Sequence, residues 1–359
     1  MRVVISAGGS GGHIYPALAI INKIKEKEPN SEFLYIGTHD RMENDIIPNY
    51  GIPFKTIKIY GMYRNIFKNF KTITCFFKAI KDAKKMIKEF NPDIVIGVGG
   101  YVTTPVLYAG HKLGYKTFIH EQNSIPGKAN KFASKFADRI AVSFPASKNA
   151  FDESKVVVTG NPVSDAAKSI KPAKKEEFGL DPNKKLVLFV MGSQGASTVN
   201  DVIVKAMNKF KNKDYEILFV TGKNAYDDIN KNKFPSNVKV VPYIDGMTRI
   251  MKKTDVMVTR AGASTLSEIA SIGVSSILIP SPYVPNNHQY LNALDFVNAN
   301  AAIMLEEKNL NPDSLVSSID DLINNSKKQE EIKKNLKSLS IDGSATKIYD
   351  EIKKLIDGK

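Results

Sequence analysis

A glycine-rich turn follows a short apolar run twice in this chain, and no other feature constrains the fold as strongly. Near the N-terminus Val3-Val4-Ile5 leads into Ala7-Gly8-Gly9-Ser10-Gly11-Gly12-His13. Far downstream Leu186-Val187-Leu188-Phe189-Val190 leads into Met191-Gly192-Ser193-Gln194-Gly195-Ala196. Each reads as a buried strand, a turn that only glycine can make, and a helix start. Such turns expose backbone N–H groups at a helix N-terminus, where anions bind. Two of them imply two similar α/β domains facing a cleft, with phosphate chemistry between.

The rest of the chain repeats that plan. Strand-like runs near 2–6, 32–36, 54–58, 93–98, 116–119 and 139–143 alternate with helical patterns over 12–28, 69–90, 103–113 and 125–136. Alternation of this kind argues for parallel sheets with crossover helices. Val156-Val157-Val158-Thr159-Gly160-Asn161-Pro162 closes the first domain, and the lysine-rich stretch 168–185 reads as a linker. Strands near 186–191, 215–220, 237–241, 255–259 and 275–279 follow, then helices over 327–338 and 344–357. The expected division is 1–162, 163–340, and a C-terminal helix over 341–359 that returns to the first domain.

At 359 residues each half can bury its own core. The one cysteine, Cys75, cannot form an internal disulfide, which points to a reducing compartment. The first strand begins at residue 2 or 3, leaving no room for a signal peptide. No apolar run approaches the roughly 20 residues that span a bilayer. A net charge of +14 calls for an anionic partner: nucleic acid, an acidic membrane surface or a phosphorylated substrate.

The motifs narrow this. The first glycine loop begins like a dinucleotide fingerprint, but Ile14 stands where a third glycine belongs. The second strand, Leu34-Tyr35-Ile36, runs into Gly37-Thr38 rather than an acid for the ribose. Neither loop has the Gly-Lys-Ser/Thr of a P-loop. His13 closes the first loop and faces whatever the loop faces. Gly97-Val98-Gly99-Gly100-Tyr101 lets backbone approach a ligand, although the same residues would serve as a tight turn. Phe118-Ile119-His120-Glu121-Gln122-Asn123-Ser124 puts polar side chains at a strand's carboxyl edge, where open α/β sheets bind ligands. A helix cap by Asn123 or Ser124 would not account for His120 and Glu121.

In the second half, Arg260-Ala261-Gly262-Ala263-Ser264-Thr265-Leu266-Ser267-Glu268 opens a helix with small residues. Its N–H groups suit a diphosphate, and Glu268 could accept from both hydroxyls of a ribose. The plainer alternative makes Ser264 or Thr265 an N-cap. Asn286-Asn287-His288-Gln289-Tyr290 could read sugar hydroxyls, although taken alone it reads as a solvated loop. There is no Asp-x-Asp and no histidine or cysteine cluster, so no metal and no cofactor are expected. The segment 60–90 is different in kind. Ile66, Phe67, Phe70, Ile73, Phe76, Phe77, Ile80, Met86 and Phe90 are interleaved with eight lysines and arginines against only Asp82 and Glu89. Exposed aromatics on a basic amphipathic helix favour an anionic membrane, although the aromatics could instead cover the sheet and leave the lysines as an ordinary solvated face.

Taken together, these blocks resemble the MurG family, the peptidoglycan enzymes that transfer N-acetylglucosamine from its UDP donor to lipid I. The blocks that carry the resemblance are Gly8 to His13, Gly99 to Val102, His120 to Asn123, Gly160-Asn161-Pro162-Val163, Gly192 to Ala196, Arg260 to Ala263 with Ser267-Glu268, and Gln289-Tyr290 with Asn292. They fall in family order along essentially the whole chain. The resemblance implies the α/β GT-B fold, two Rossmann-like, doubly wound parallel-sheet domains with an interdomain cleft, and an inverting, metal-independent transfer. It places UDP-N-acetylglucosamine on the C-terminal domain: diphosphate at Ser193 and the N–H groups of Ala263, Ser264, Thr265 and Leu266, ribose at Glu268, uracil at Ile244 backbone, sugar at Gln289. Ser10, Gly11, Gly12 and Asn123 would complete that site, and Gly99, Gly100 and Tyr101 would take lipid I. No nucleic acid is implied, and the expected location is peripheral, on the cytoplasmic face of the cell membrane.

Some relatives carry threonine at Ser10, arginine at Ser164 and glutamine at His288. A general base must take the acceptor hydroxyl's proton, and both His13 and Glu121 are candidates. Another GT-B glycolipid glycosyltransferase, a sugar-nucleotide epimerase and a non-catalytic lipid- or sugar-binding module stand as alternatives.

Overall fold

The computed structural model describes residues 1–61, 69–192 and 196–358, without the side chains of 69–71. The chain forms two compact units: Met1–Val163 with Gly343–Lys359, and Ser164–Asp342.

In the first unit the order is β1 (Arg2–Ala7), α1 (Gly11–Lys27), β2 (Glu32–Thr38), the short α2 (Glu43–Ile46), β3 (Phe54–Ile57), α3 (Asn69–Phe90), β4 (Ile94–Gly99), α4 (Thr103–Lys112), β5 (Lys116–Glu121), α5 (Lys128–Ala133), β6 (Arg139–Val142) and β7 (Val156–Val158). The seven strands form a sheet ordered β3-β2-β1-β4-β5-β6-β7, with every pairing parallel. Parallel strands are covered on both faces, which is why β1 and β4 are buried almost throughout instead of alternating. Val3 and Ile5 join a core beneath α1, and Val4 joins another shared with Ala79, Ala83, Ile87, Val106 and Leu107. The last helix of the chain, Ser344–Asp357, belongs to this unit. Its Ile348 and Ile352 enter the α1 core, while Lys353 and the Tyr349 hydroxyl both reach Glu28, at 3.2 and 3.0 Å.

The second unit runs α6 (Val163–Ser169), β8 (Lys185–Val190), α7 (Ser197–Ala206), β9 (Tyr215–Val220), α8 (Lys223–Ile229), β10 (Val238–Val241), α9 (Met247–Met251), β11 (Val256–Thr259), α10 (Ala263–Ile272), β12 (Ser275–Leu278), α11 (His288–Asn298), β13 (Ile303–Met304), α12 (Pro312–Ile323) and α13 (Ser326–Leu339). Its parallel sheet is ordered β10-β9-β8-β11-β12-β13. The edge-to-face rings of Phe189, Phe210 and Phe219 fill one side of it.

Both sheets reverse winding direction once, between β1 and β4 in the first unit and between β8 and β11 in the second. Ligands of doubly wound sheets bind outside the strand ends at that reversal. The His13 and Gly99 loops follow β1 and β4. The Gly192 and Gly262 loops follow β8 and β11. The fold therefore gathers four of the motifs, in two pairs, where such sheets bind.

Three expectations shift. Strand β13 and helix α12 carry no mark in the sequence reading. The helix expected over 125–136 starts at Lys128, with Gly127 at its cap position, so neither Asn123 nor Ser124 caps it. The stretch read as a linker holds α6 and a short 3₁₀ turn, Lys175–Phe178.

Candidate functional site

In the first unit two glycine loops lie backbone against backbone. Gly8 N–H donates to Gly99 O at 3.1 Å. A Cβ at Gly100 would sit 2.4 Å from Gly8 O, and φ there is +90°, so glycine is required on both counts. A register shift between Ser6 and Ala7, where β1 pairs with β4, brings the second loop to this position.

His13, in the first turn of α1, turns its ring into this junction. Its Nδ1 lies 3.0 Å from Gly8 O. A carbonyl can only accept, so Nδ1 carries the proton and the neutral ring keeps a lone pair on Nε2. A Cβ at Gly99 would lie 2.8 Å from that Nε2. Tyr101 stands at the same edge, 57% exposed, with its ring against Gly61. Ser10, at the cap position of α1, makes no side-chain capping bond, and Gly12 is exposed.

Glu121 has a different environment from the one the sequence suggested. Its carboxylate is buried and accepts four hydrogen bonds. Oε1 takes Asn123 N and Nδ2 at 2.9 and 3.1 Å; Oε2 takes Gly127 N and Asn130 Nδ2 at 3.1 and 2.9 Å. These bonds hold the 122–127 loop and leave no lone pair for a substrate proton. Asn123, one of the expected donor contacts, gives its amide to this carboxylate.

His120, singled out with Glu121, is also structural. It is fully buried, with Nε2 donating to Gly160 O at 3.2 Å and Nδ1 accepting from Gln122 at 3.0 Å. Burial brings its pKa down to about 4, against the smaller opposing effect of the Gly160 bond.

In the second unit the first hydrogen bond of α10 runs from Leu266 N to Gly262 O at 2.9 Å. Leu266, expected to offer its N–H, therefore has it engaged within the helix, and the N–H groups of Ala263, Ser264 and Thr265 precede the ladder. The cap residue is Gly262 and no side chain caps the helix, so the N-cap reading of Ser264 and Thr265 does not hold. Ser264 Oγ is buried without a partner among the described residues. One turn on, Glu268 has no hydrogen bond or ion pair for its carboxylate among the described residues, and burial pushes it up to about 7. Arg260 at the head of the loop is held by Glu307 at 2.7 Å and Ile279 O at 3.1 Å. Glu307 in turn accepts from Thr198 near the start of α7 at 2.6 Å.

Ile244 is buried, and neither its N–H nor its C=O is engaged among the described residues. Gln289 Oε1 accepts from Ser281 N at 2.9 Å, leaving the amide NH₂ as the group it can offer. His288 Nδ1 donates to Pro285 O at 2.8 Å. Ser193 lies outside the described residues.

On α3, Ile73 and Phe77 are 49% and 67% exposed, and Lys78, Lys81, Lys85 and Lys88 are exposed with them. Phe76, expected outside, is partly buried against Ala79 and its neighbours. One face of α3 needed more apolar bulk than the pattern suggested. Ile66, Phe67 and the side chain of Phe70 lie outside the described residues. No helix among the described residues is long and apolar enough to cross a membrane.

Two parallel-sheet units, each with glycine-bearing strand ends at its winding reversal, define the GT-B class of glycosyltransferase fold. Family models agree, one described as the glycosyltransferase family 28 N-terminal domain over residues 3–142 and one as the C-terminal domain over 186–351. The chain is 46% identical to a Bacillus cytotoxicus protein over 99% of its length and 100% of the relative's, and 45% identical to one from Bacillus licheniformis with 99% of each covered. Both relatives are named UDP-N-acetylglucosamine–N-acetylmuramyl-(pentapeptide) pyrophosphoryl-undecaprenol N-acetylglucosamine transferase. The crystal structure of Acinetobacter baumannii MurG superposes with a TM-score of 0.76 at 26% identity, covering 98% of this chain and 99% of that one. A Neisseria meningitidis UDP-GlcNAc 2-epimerase bound to UDP-GlcNAc shares the fold alone, with a TM-score of 0.68 at 17% identity over 99% and 100% of the two chains. The chain belongs to the MurG family of N-acetylglucosamine transferases.

Sequence reasoning passed over Glu43. It looked for an acid at the end of β2 and found none, yet Glu43 follows five residues after Thr38. It is fully buried and bonded to the first glycine loop. An acid that reads a ribose faces the ligand, whereas this one points inward.

Proposed function

We propose that this chain transfers N-acetylglucosamine from UDP-N-acetylglucosamine to the muramyl sugar of lipid I, giving lipid II with inversion at the anomeric carbon. Glu268 is the observation that carries the donor half. A partly buried carboxylate with no partner among the described residues is costly, and a site that later supplies two hydroxyl donors explains why it is kept. It stands one turn beyond N–H groups suited to a diphosphate. The ribose is read by Glu268, the uracil by the Ile244 backbone, the diphosphate by residues 263–265 with Ser193, and the sugar by the Gln289 amide. Ser10, Gly11 and Gly12 belong to the same reaction centre, and Gly99, Gly100 and Tyr101 receive the acceptor.

In the transfer, the acceptor hydroxyl oxygen bonds to the anomeric carbon from the face opposite UDP. The bond from that carbon to the diphosphate oxygen breaks, and the electron pair leaves with UDP. His13 Nε2 takes the hydroxyl proton, because its lone pair is open while all four hydrogen-bonding positions of Glu121 are filled. N–H groups and a helix N-terminus stabilise the leaving diphosphate. No metal is assigned a part. The acceptor's polyprenyl chain stays in the bilayer, so the first unit meets the cytoplasmic leaflet through Ile73, Phe77 and the lysines of α3.

Labelled UDP-N-acetylglucosamine with a lipid I analogue tests this, with and without excess EDTA. Sugar should appear on the lipid, and UDP should be released only when acceptor is present, in both conditions. Epimer formation without acceptor would support the fold's other chemistry. Activity lost to EDTA and restored by magnesium would reveal a metal requirement.

A further inference from the structure

Glu43 has no assigned task in the reaction, and its surroundings are unusual for a surface-helix acid. It opens the four-residue α2 yet is 0% exposed, and no cation among the described residues pairs with it. Oε1 accepts from Thr38 N and Oγ1 at 3.0 and 2.7 Å, and Oε2 accepts from Gly9 N at 3.1 Å. Two glycines make room for it. A Cβ at Gly8 would come within 2.5 Å of Oε1, and one at Gly37 within 2.8 Å of Cγ.

The Gly9 N–H and the Gly8 C=O belong to the same peptide unit. On one side that plane donates to Glu43, and on the other it accepts from His13 Nδ1 at 3.0 Å. A carboxylate, a peptide and an imidazole are thus linked in series. We propose that Glu43 is a positioning residue that orients His13 through the Gly8–Gly9 peptide. The carboxylate fixes the tilt of the plane, and the tilt fixes where the carbonyl points. The carbonyl in turn holds the proton on Nδ1 and leaves Nε2 free to accept one. Bonds in such a chain polarise one another, so the carboxylate also strengthens the Nδ1–H donation to the Gly8 carbonyl. Glu43 touches neither substrate, and the inference rests on the reading of His13 as the base.

Glu43→Gln separates the two sides of the carboxylate. The amide oxygen can keep the Thr38 bonds, and the NH₂ then confronts Gly9 N–H, donor against donor. With the full chain, kcat should fall by about 10²-fold, the scale of a misplaced catalytic group, while the donor KM stays within about twofold. The deciding measurement is the Glu43→Gln, His13→Ala double variant. If Glu43 acts through His13, the double variant is no slower than His13→Ala alone, within about twofold. Losses that multiply would mean an independent structural role, and a Glu43→Gln kcat within threefold of wild type would overturn the proposal directly. His13→Ala with unchanged kcat would instead show that the base assignment is wrong. Should Glu43→Gln not fold, Glu43→Asp asks the same question. It is one methylene shorter, keeps its charge near Thr38 and withdraws from Gly9, and the same non-additivity with His13→Ala is expected.

Discussion

Glu121 and Glu268 are both carboxylates beside the sheet edges of their units, and their surroundings are opposite. Glu121 accepts four hydrogen bonds from the loop that follows it and from Asn130 on α5, and Glu268 accepts none among the described residues. The glycine turns differ in the same way. In the first unit Gly8, Gly9, Gly99 and His13 bond to one another or to Glu43, so the loop is fixed before any ligand arrives. In the second, the first N–H groups of α10, Ser264 Oγ and the Glu268 carboxylate have no partner among the described residues. A loop that presents a reactive group must be held still, whereas a loop that binds must keep its hydrogen-bonding capacity for the ligand.

The largest test of that contrast is His13→Ala. Turnover should fall by about 10²–10⁴-fold, the usual contribution of a general base, with donor affinity retained in titrations of UDP-N-acetylglucosamine. If the Michaelis constants rise and turnover holds, the first unit binds where it was read as acting.

Next is Glu268→Ala. Two charge-assisted bonds are lost, each worth about 1.5–3 kcal/mol, so the donor KM should rise more than tenfold with a smaller change in kcat. An unchanged KM in the folded variant removes Glu268 from the donor site.

The contrast also predicts opposite responses to pH. Glu268 sits near 7 when folded, above its ordinary 4.5. Its contribution to stability is therefore present below about 4.5 and lost as pH rises through 7. Glu268→Gln should stabilise the ligand-free protein at pH 8 by about 1–3 kcal/mol, an advantage that shrinks when UDP is added. His120 moves the other way, its folded value of about 4 lying below the ordinary 6.5. Stability from this group is lost as pH falls from 6.5 toward 4. A nitrogen-detected NMR titration should find the His120 ring neutral down to pH 5; protonation near 6.5 would show that the ring is not sealed.

Glu121→Gln should mainly cost stability. Its NH₂ would face two donors, for a loss of about 2–4 kcal/mol in chemical unfolding, and turnover should change less than tenfold. A drop as large as that of His13→Ala would exchange their roles.

The smallest effect on turnover is expected at α3. Serine at Ile73 and Phe77 with glutamate at Lys78 and Lys81 reverses a basic face worth roughly 1 kcal/mol per lysine at an anionic leaflet. Co-sedimentation with anionic vesicles should be lost while activity on a short-chain, soluble acceptor persists. Retained vesicle binding would place the contact elsewhere on the first unit.

Sequence alone determined the class and most of the elements. An apolar run followed by a glycine turn is a local pattern, and parallel strands buried on both faces are apolar throughout, so β1, β4, β8 and β11 were legible without any partner. The blocks from Gly8 to Asn292 likewise carried the family, because their order is a property of the chain. Which polar side chains were engaged was a different matter. Glu121 and Glu268 look alike in sequence, and only the fold supplied the donors that fill one and not the other. Asn130 and Gly127 lie within one loop of Glu121, but the turn that aims them at it is not a spacing rule. Glu43 was missed for the same reason: its partner Gly9 is 34 residues away, with α1 and β2 between them. Phe76 and Phe77 are adjacent, and helix rotation alone sends one inward and leaves the other exposed. Short-range pattern fixes backbone conformation, whereas hydrogen-bond satisfaction depends on which distant atoms arrive, and only tertiary structure decides that.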